Sequence, residues 1–152
     1  REVHHEGSLK YQDALASVRG AHPSVFGVDD VLCAGLDFTI FARQIRDAVA
    51  ASPPSANLTK LRDALRNFVS ETSTLGMTCM GADQLLPCVC AAVVLADCPQ
   101  LYECVEMLSI IVDEFSTVGG EEAYSLCTLQ AAAQGIRTAN SLPHPSREGA
   151  VV

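Results

Sequence analysis

Apolar residues recur at intervals of three to four positions in six stretches of the chain, which is the spacing of one face of an α-helix. In the first stretch Tyr11, Ala14, Leu15 and Val18 fall on a single stripe. No stretch shows the strict alternation and the β-branched and aromatic enrichment that mark strands. The predicted helices cover residues 8–19, residues 37–51, a segment from Leu58 after the cap candidates Ser55 and Asn57, residues 83–97, a segment opened by Pro99, and residues 121–138.

The fourth predicted helix is apolar on nearly every side, a property typical of the central helix of a bundle. Breaks in the pattern predict a connector over residues 22–30 and a loop over residues 72–81, and Gly119-Gly120 separates the last two helices. We therefore predict an all-α fold, a layered bundle of about six helices, in one domain over residues 8–138. Residues 1–7 are predicted to form an N-terminal tail and residues 139–152 a loose C-terminal tail.

The composition fits one soluble domain. Of the 152 residues, 49% are hydrophobic and 18% are charged, so the chain can bury a core. The net charge of −8 repels phosphate backbones and anionic lipid, which argues against nucleic acid as a partner. The longest apolar run, residues 85–96, is shorter than the ~20 residues of a membrane span, and no secretory signal is visible. We expect a cytoplasmic protein without direct membrane insertion.

Seven cysteines stand inside apolar segments without a C-x-x-C pair, which indicates free thiols in a reducing compartment. The four histidines lie far from the cysteines in sequence, so we predict no metal site, and nothing in the chain predicts a cofactor. The phosphate loop, the H-E-x-x-H pattern and the G-x-S-x-G nucleophile elbow are missing, which argues against kinases and hydrolases. A helical cysteine enzyme stays open as an alternative, and it would need one thiol with a lowered pKa.

Two short segments carry the remaining chemistry. The first is G-A-D-Q-L-L-P over residues 81–87, and the second is G-E-E-A-Y-S-L-C-T-L over residues 120–129. Taken alone, Asp83 could cap the fourth helix, and Glu121 with Glu122 could favour the positive end of the last helix. These structural interpretations need no partner, so each segment by itself leaves the function open.

The order and spacing of the two segments resemble the Vps-nine domain, the vacuolar protein sorting nine module of guanine-nucleotide exchange factors for Rab GTPases. Between them lies the joint A-D-C-P-Q-L over residues 96–101, and 41 positions separate Asp83 from Tyr124. Upstream, K-L at residues 60–61 follows two prolines at residues 53–54, which also fits the family. The resemblance covers roughly residues 8–138, is strongest over residues 81–128, and implies an all-α bundle.

The resemblance implies an exchange factor that accelerates GDP release and performs no covalent chemistry. Asp83 would be an acidic finger pushed into the nucleotide site, and Tyr124 would act with it. Tyr124 and Pro87 would line a groove between the fourth and sixth predicted helices that takes the switch region of the GTPase. The implied partner is a Rab GTPase of the early endosomal (Rab-five-like) subfamily, nucleotide-free or bound to GDP. The implied partner-binding residues are Ala82, Pro87, Glu121, Cys127 and Thr128.

Five positions depart from the residues usual in the family. They are Asp97 and Cys98 in the joint, Ile110 and Ile111 near the end of the fifth predicted helix, and Cys127, where the family usually has threonine. An alternative function is a non-catalytic helical domain of the same fold that binds a GTPase or another protein without releasing nucleotide. In either case we expect a monomeric module of a longer multidomain protein, recruited to endosomal membranes through other domains.

Overall fold

The computed structural model describes residues 2–77, 80–115 and 118–138 of the chain. Over these residues the backbone forms α-helices and one 3-10 helix, with no strand, which confirms the predicted all-α fold. The α-helices are α1 (Glu2–Ser17), α2 (Asp30–Gly35), α3 (Phe38–Ala50), α4 (Pro54–Ser73), α5 (Ala82–Ala96), α6 (Leu101–Glu114) and α7 (Gly120–Thr138), and the 3-10 helix is Pro23–Phe26.

Two helices form the centre of the bundle. α5 packs against α3, α7 and the 3-10 helix, and α7 packs against α1, α4, α5 and α6. The central position expected for α5 agrees with its burial, since Cys88, Val89, Ala92 and Val93 are all 0% exposed. Across the described part of the chain, no helix combines the length and the hydropathy that are needed to cross a bilayer.

α1 begins earlier than the apolar pattern predicts. The sequence predicted a tail over residues 1–7, whereas the structure places residues 2–7 in α1. Glycine is a poor helix former, but Gly7 is held here by packing: a Cβ atom on it would lie 2.6 Å from the Tyr102 hydroxyl oxygen. The contact with α6 therefore supports a turn that has no helical stripe of its own. The C-terminal tail predicted over residues 139–152 lies outside the described residues.

Two short helices follow α1: the 3-10 helix lies within the connector predicted over residues 22–30, and α2 begins at the last residue of that connector. The 3-10 helix begins at Pro23, and α2 begins after Asp29, whose Oδ1 accepts a hydrogen bond from Val31 N at 2.8 Å. α2 has six residues, about one and a half turns, and its residue Leu32 is buried. Both helices are too short to show a repeat in the sequence, so local capping and one buried anchor replace the apolar stripe.

The caps predicted for α4 are wrong. α4 begins at Pro54, a residue suited to the first helical position, and Ser55 and Asn57 lie inside the helix. Asn57 is buried, and its Nδ2 donates to the carbonyl oxygens of Ala48 at 2.6 Å and Ala51 at 2.9 Å. These carbonyls belong to the end of α3, where the helix leaves acceptors open; that of Ala48 also accepts a longer bond from Ala51 N at 3.4 Å. The side chain of Asn57 thus joins α4 to α3.

Candidate functional site

Asp83 is the second residue of α5, and its side chain is exposed. The N-cap of α5 is Gly81, whose backbone N–H donates to Gln84 Oε1 at 3.3 Å, so these two residues share the capping role. A Cβ atom on Gly81 would lie 2.8 Å from Asp83 Oδ1, which shows that glycine leaves room for the carboxylate. Among the described residues, none forms a hydrogen bond or an ion pair with this carboxylate. It is therefore available to a partner.

The starts of α5 and α7 lie at the same end of the bundle. Leu85 near the start of α5 and Ser125 near the start of α7 line one pocket. Further along both helices, Cys90 Sγ lies 3.9 Å from the carbonyl oxygen of Ala132. The two helices therefore run in the same direction, and the fold brings together the two sequence segments that were singled out.

A pocket of about 240 Å³ opens where α4, α5 and α7 meet. Tyr124 lines this pocket with its side chain 50% exposed, and Val69 beside it is 38% exposed. Within the described part of the chain the Tyr124 hydroxyl has no hydrogen-bond partner. A half-exposed ring with a free hydroxyl can give a partner both apolar area and one hydrogen bond. The lining residues are Arg62, Leu65, Arg66, Val69, Leu85, Glu121, Tyr124 and Ser125.

Two ion pairs cross the pocket from α4 to the first turn of α7. Arg66 Nε and Nη2 donate to the two carboxylate oxygens of Glu121, and Arg62 Nη1 lies 3.6 Å from Glu122 Oε2. The guanidinium of Arg66 lowers the pKa of the Glu121 carboxyl, and the carboxylate raises the pKa of Arg66. The structure thus places Glu121, predicted to bind a partner, in an internal link between two helices.

Pro87 lies inside α5 and is partly buried. Tyr124 lines the pocket as expected, but the residue of α5 that lines it is Leu85 and not Pro87. Because proline has no N–H, Pro87 cannot donate the hydrogen bond that the Asp83 carbonyl would accept in a regular helix. The structural effect of Pro87 therefore falls on the turn that carries Asp83.

The three remaining predicted partner-binding residues lie on the same two helices but do not line the pocket. Ala82 is the exposed first residue of α5, and Cys127 is exposed on α7, three positions after Tyr124. Thr128 is partly buried, and its Oγ1 donates to the Tyr124 carbonyl oxygen at 3.0 Å. The hydroxyl of Thr128 is therefore already used within α7.

Sequence reasoning missed the contribution of α4 to this site. Leu65 and Val69 entered only as members of a core stripe, and neither Arg62 nor Arg66 was singled out. The four-residue spacing of the two arginines places them on one side of α4, which was a visible signal. Their acceptors could not be identified, because Glu121 follows Arg66 by 55 positions and the pairing depends on tertiary packing.

Thiol chemistry finds little support in the described residues. Burial raises the pKa of Cys88 to about 12 and that of Cys90 to about 11, and it also raises the pKa of Cys98 and Cys104. An activated nucleophile needs the opposite shift, which disfavours a cysteine enzyme built on these thiols. Throughout residues 2–77, 80–115 and 118–138, no group of His, Cys, Asp or Glu side chains is arranged to hold a metal ion. Cys79 lies outside these residues.

Comparisons with known proteins place this arrangement in a family. The sequence profile described as the vacuolar sorting protein 9 (VPS9) domain matches residues 43–141, about two thirds of the chain. The matched segment contains α4, α5 and α7 as far as Thr138, and with them every residue that lines the pocket. A search among curated proteins gives no match.

Proposed function

Because the chain belongs to the VPS9 domain family, we propose that it promotes GDP release from a Rab GTPase of the early endosomal (Rab-five-like) subfamily. The family consists of guanine-nucleotide exchange modules that act on Rab GTPases. The observation that carries the proposal is the free, exposed carboxylate of Asp83 at the same end of the bundle as the half-exposed ring of Tyr124. Asp83 is the acidic finger, and the pocket around Tyr124 receives the switch region.

The work required of the domain can be stated as a free energy. A Rab GTPase holds GDP through its phosphate loop, the lysine of that loop and Mg²⁺. An exchange factor binds the nucleotide-free GTPase more tightly than the loaded one, and by reciprocity it weakens nucleotide binding by the same factor. Faster release by about 10³ to 10⁴ requires a barrier lower by about 4 to 5.5 kcal/mol.

Asp83 can supply much of this free energy. In the proposed complex its carboxylate pairs with the phosphate-loop lysine, repels the phosphates of GDP and occupies space that Mg²⁺ needs. The structure of the domain without a GTPase favours this role for Asp83. No internal ion pair among the described residues has to break before the carboxylate enters the nucleotide site. Pro87 supports the same role, since it removes one backbone hydrogen bond from the turn that carries Asp83.

The pocket of Tyr124 supplies binding free energy next to the finger. Leu65, Val69 and Leu85 offer apolar area, and the tyrosine ring adds a large surface that loses little conformational entropy on binding. The ion pairs of α4 with the first turn of α7 link this turn to α4. The pocket therefore offers mainly apolar area to a segment such as a GTPase switch.

The experiment is a panel of Rab GTPases loaded with fluorescent GDP and mixed with the domain. We expect accelerated release for early endosomal members and background rates for the others, with Asp83→Asn abolishing most of the acceleration. Binding of the nucleotide-free GTPase without any acceleration of release would favour the alternative, a non-catalytic interaction domain of the same fold. If no Rab binds the domain and no Rab releases GDP faster in its presence, the proposal is overturned.

We further propose that the domain acts without a cofactor, as a monomeric module of a longer protein in the cytoplasm that other domains recruit to endosomal membranes. The net charge of −8 supports recruitment through other domains, because the module itself is repelled by anionic lipid. Flotation of the isolated domain with anionic vesicles tests this point, and strong co-flotation would contradict it.

A further inference from the structure

α6 carries apolar side chains on the side that faces solvent as well as on the side that faces the core. Leu101, Val105 and Leu108 are buried. On the outer side Met107 is 42% exposed and Ile110 is 57% exposed. Single exposed apolar side chains are ordinary in globular proteins, but a row of them along one helix forms a patch that calls for a partner.

The exposed residues form one stripe. Met107, Ile110 and the partly buried Ile111 follow one another at i, i+3 and i+4, and the 58% exposed Phe115, the extended C-cap residue directly after α6, continues the row at i+8. At a rise of 1.5 Å per residue the stripe is about 12 Å long, a little more than two helical turns. It is separate from the pocket of Tyr124, whose lining residues come from α4, α5 and α7. The spacing matches the ridges that a second helix packs against.

The charged residues of α6 itself all have one sign. α6 contains Glu103, Glu106, Asp113 and Glu114 and neither lysine nor arginine. A second copy of the chain would bring the same four acids to the contact, and an anionic membrane would be repelled. A partner with apolar side chains can cover the stripe, and basic side chains beside them can pair with the acids of α6.

We propose that the outer face of α6 is a docking surface for a basic amphipathic helix of another protein. Its apolar residues cover Met107, Ile110 and Phe115, and its lysine or arginine side chains pair with acids of the same helix, Asp113 and Glu114. This is recognition of a helix through anchors at i, i+3, i+4 and i+7. None of these residues lines the pocket of Tyr124, so peptide binding and the exchange reaction are measured as two separate quantities.

The test uses a synthetic peptide of about five helical turns with leucines at i, i+3, i+4 and i+7 and lysines on both flanks. Amide chemical shifts of the isotope-labelled domain are recorded during titration with this peptide. We expect saturable shifts centred on α6 and a dissociation constant that Ile110→Glu raises by about tenfold or more. Because Ile110 is exposed, this variant should fold, which its circular dichroism and melting temperature verify.

Three controls separate docking from charge attraction. Val31→Glu adds the same charge at another exposed apolar residue, 54% exposed on α2, and should leave peptide affinity unchanged. A peptide of the same composition with scrambled leucine positions, and one with glutamate in place of lysine, should each bind at least about tenfold more weakly. The proposal is overturned if the shifts lie outside α6, if Ile110→Glu binds as well as the native domain, or if the scrambled peptide binds equally.

Discussion

The first turns of α5 and α7 carry the same kind of residue and differ in what surrounds it. Asp83 in α5 is exposed and has no ionic partner among the described residues, whereas Glu121 and Glu122 in α7 are paired with Arg66 and Arg62 of α4. Acids at both positions suit the positive end of a helix. The position in the helix therefore does not decide what an acidic side chain does.

The difference comes from packing across the bundle. α4 presents two arginines, one turn apart, to the start of α7, and these neutralise the acids there. The start of α5 meets no comparable basic pair in the described part of the chain. An acid that is paired within the domain links two helices, whereas an unpaired acid can form an ion pair with a binding partner.

The largest effect is expected for the unpaired acid. Asp83→Ala should lower kcat/KM for GDP release by about 10² to 10³, the scale observed when a preorganised electrostatic group is removed from a reacting site. The melting temperature should fall by at most about 3 °C, because no internal contact among the described residues depends on the carboxylate and only its favourable position at the positive end of α5 is lost. Both quantities are measured on the same sample. Asp47→Ala, which removes an exposed acid from α3, serves as the matched control and should leave exchange unchanged.

If the Asp83→Ala variant is well folded and keeps its activity, the assignment of the finger is wrong. The distinction between paired and unpaired acids would then lose its functional meaning.

The second effect concerns the aromatic residue that follows the paired acids. Tyr124→Ala should weaken binding of the nucleotide-free GTPase by about 2 kcal/mol or more, as expected of an aromatic anchor in an interface. Tyr124→Phe retains the ring and should lose only about 0.5 to 1.5 kcal/mol, the contribution of one hydrogen bond. Calorimetry measures both affinities. A fall in the melting temperature without a loss of affinity would show that Tyr124 is a structural residue of the bundle.

Long-range apolar repeats made most of the fold predictable. α3 and α6 follow from stripes that extend over several turns, and α5 with its central place follows from its uniform apolarity. α2 did not follow, because a helix of six residues depends on one capping aspartate and on Leu32 packing against the core. The start of α4 was misjudged for a similar reason, since Asn57 bonds to α3 and not to its own helix.

The candidate site was predictable to a smaller extent. The spacing of Asp83 and Tyr124 identified them through a resemblance, and the structure brings their helices to one end of the bundle. The ion pairs of Arg62 and Arg66 were not predictable, because pairs between residues 60 positions apart (Arg62 and Glu122) and 55 positions apart (Arg66 and Glu121) leave no local pattern. Leu85, and not Pro87, lines the pocket from α5, and this too depends on the rotation of α5 in the bundle.

The third effect concerns Cys127, which stands where the family usually has threonine. Tyr124 and Cys127 share a face of α7, and the Thr128 hydroxyl already bonds to the Tyr124 carbonyl, so Thr128 cannot replace the missing group. A thiol is a weak donor and acceptor, and a restored hydrogen bond contributes about 0.5 to 1.5 kcal/mol. Cys127→Thr should therefore raise kcat/KM by roughly two- to tenfold.

Thr128→Ala is the control for this variant and should change kcat/KM little. If Cys127→Thr is neutral or harmful while Thr128→Ala abolishes exchange, the contacts assigned to this face of α7 have to be moved by one residue.

The smallest effect is expected for the paired acid. Arg66→Ala and Glu121→Gln should each lower the melting temperature by at most about 3 °C and change kcat/KM by less than about twofold, because exposed ion pairs contribute little. Arg19→Ala breaks the exposed pair with Asp97, 3.1 Å long and away from the pocket, and should cost a similar amount of stability.

The pH dependence identifies the pair itself. Since Arg66 lowers the pKa of Glu121 below its ordinary value of 4.5, the stabilisation is present above that value and is lost as the pH falls through the lower folded-state pKa. The difference in melting temperature between the native domain and Glu121→Gln should therefore be present at pH 7 and shrink as the pH falls below 4.5 and through the lowered pKa of Glu121. If Arg66→Ala instead lowers exchange as strongly as Asp83→Ala at an unchanged melting temperature, Arg66 contacts the GTPase directly. The acids at the start of α7 would then belong to the reaction as much as the acid at the start of α5.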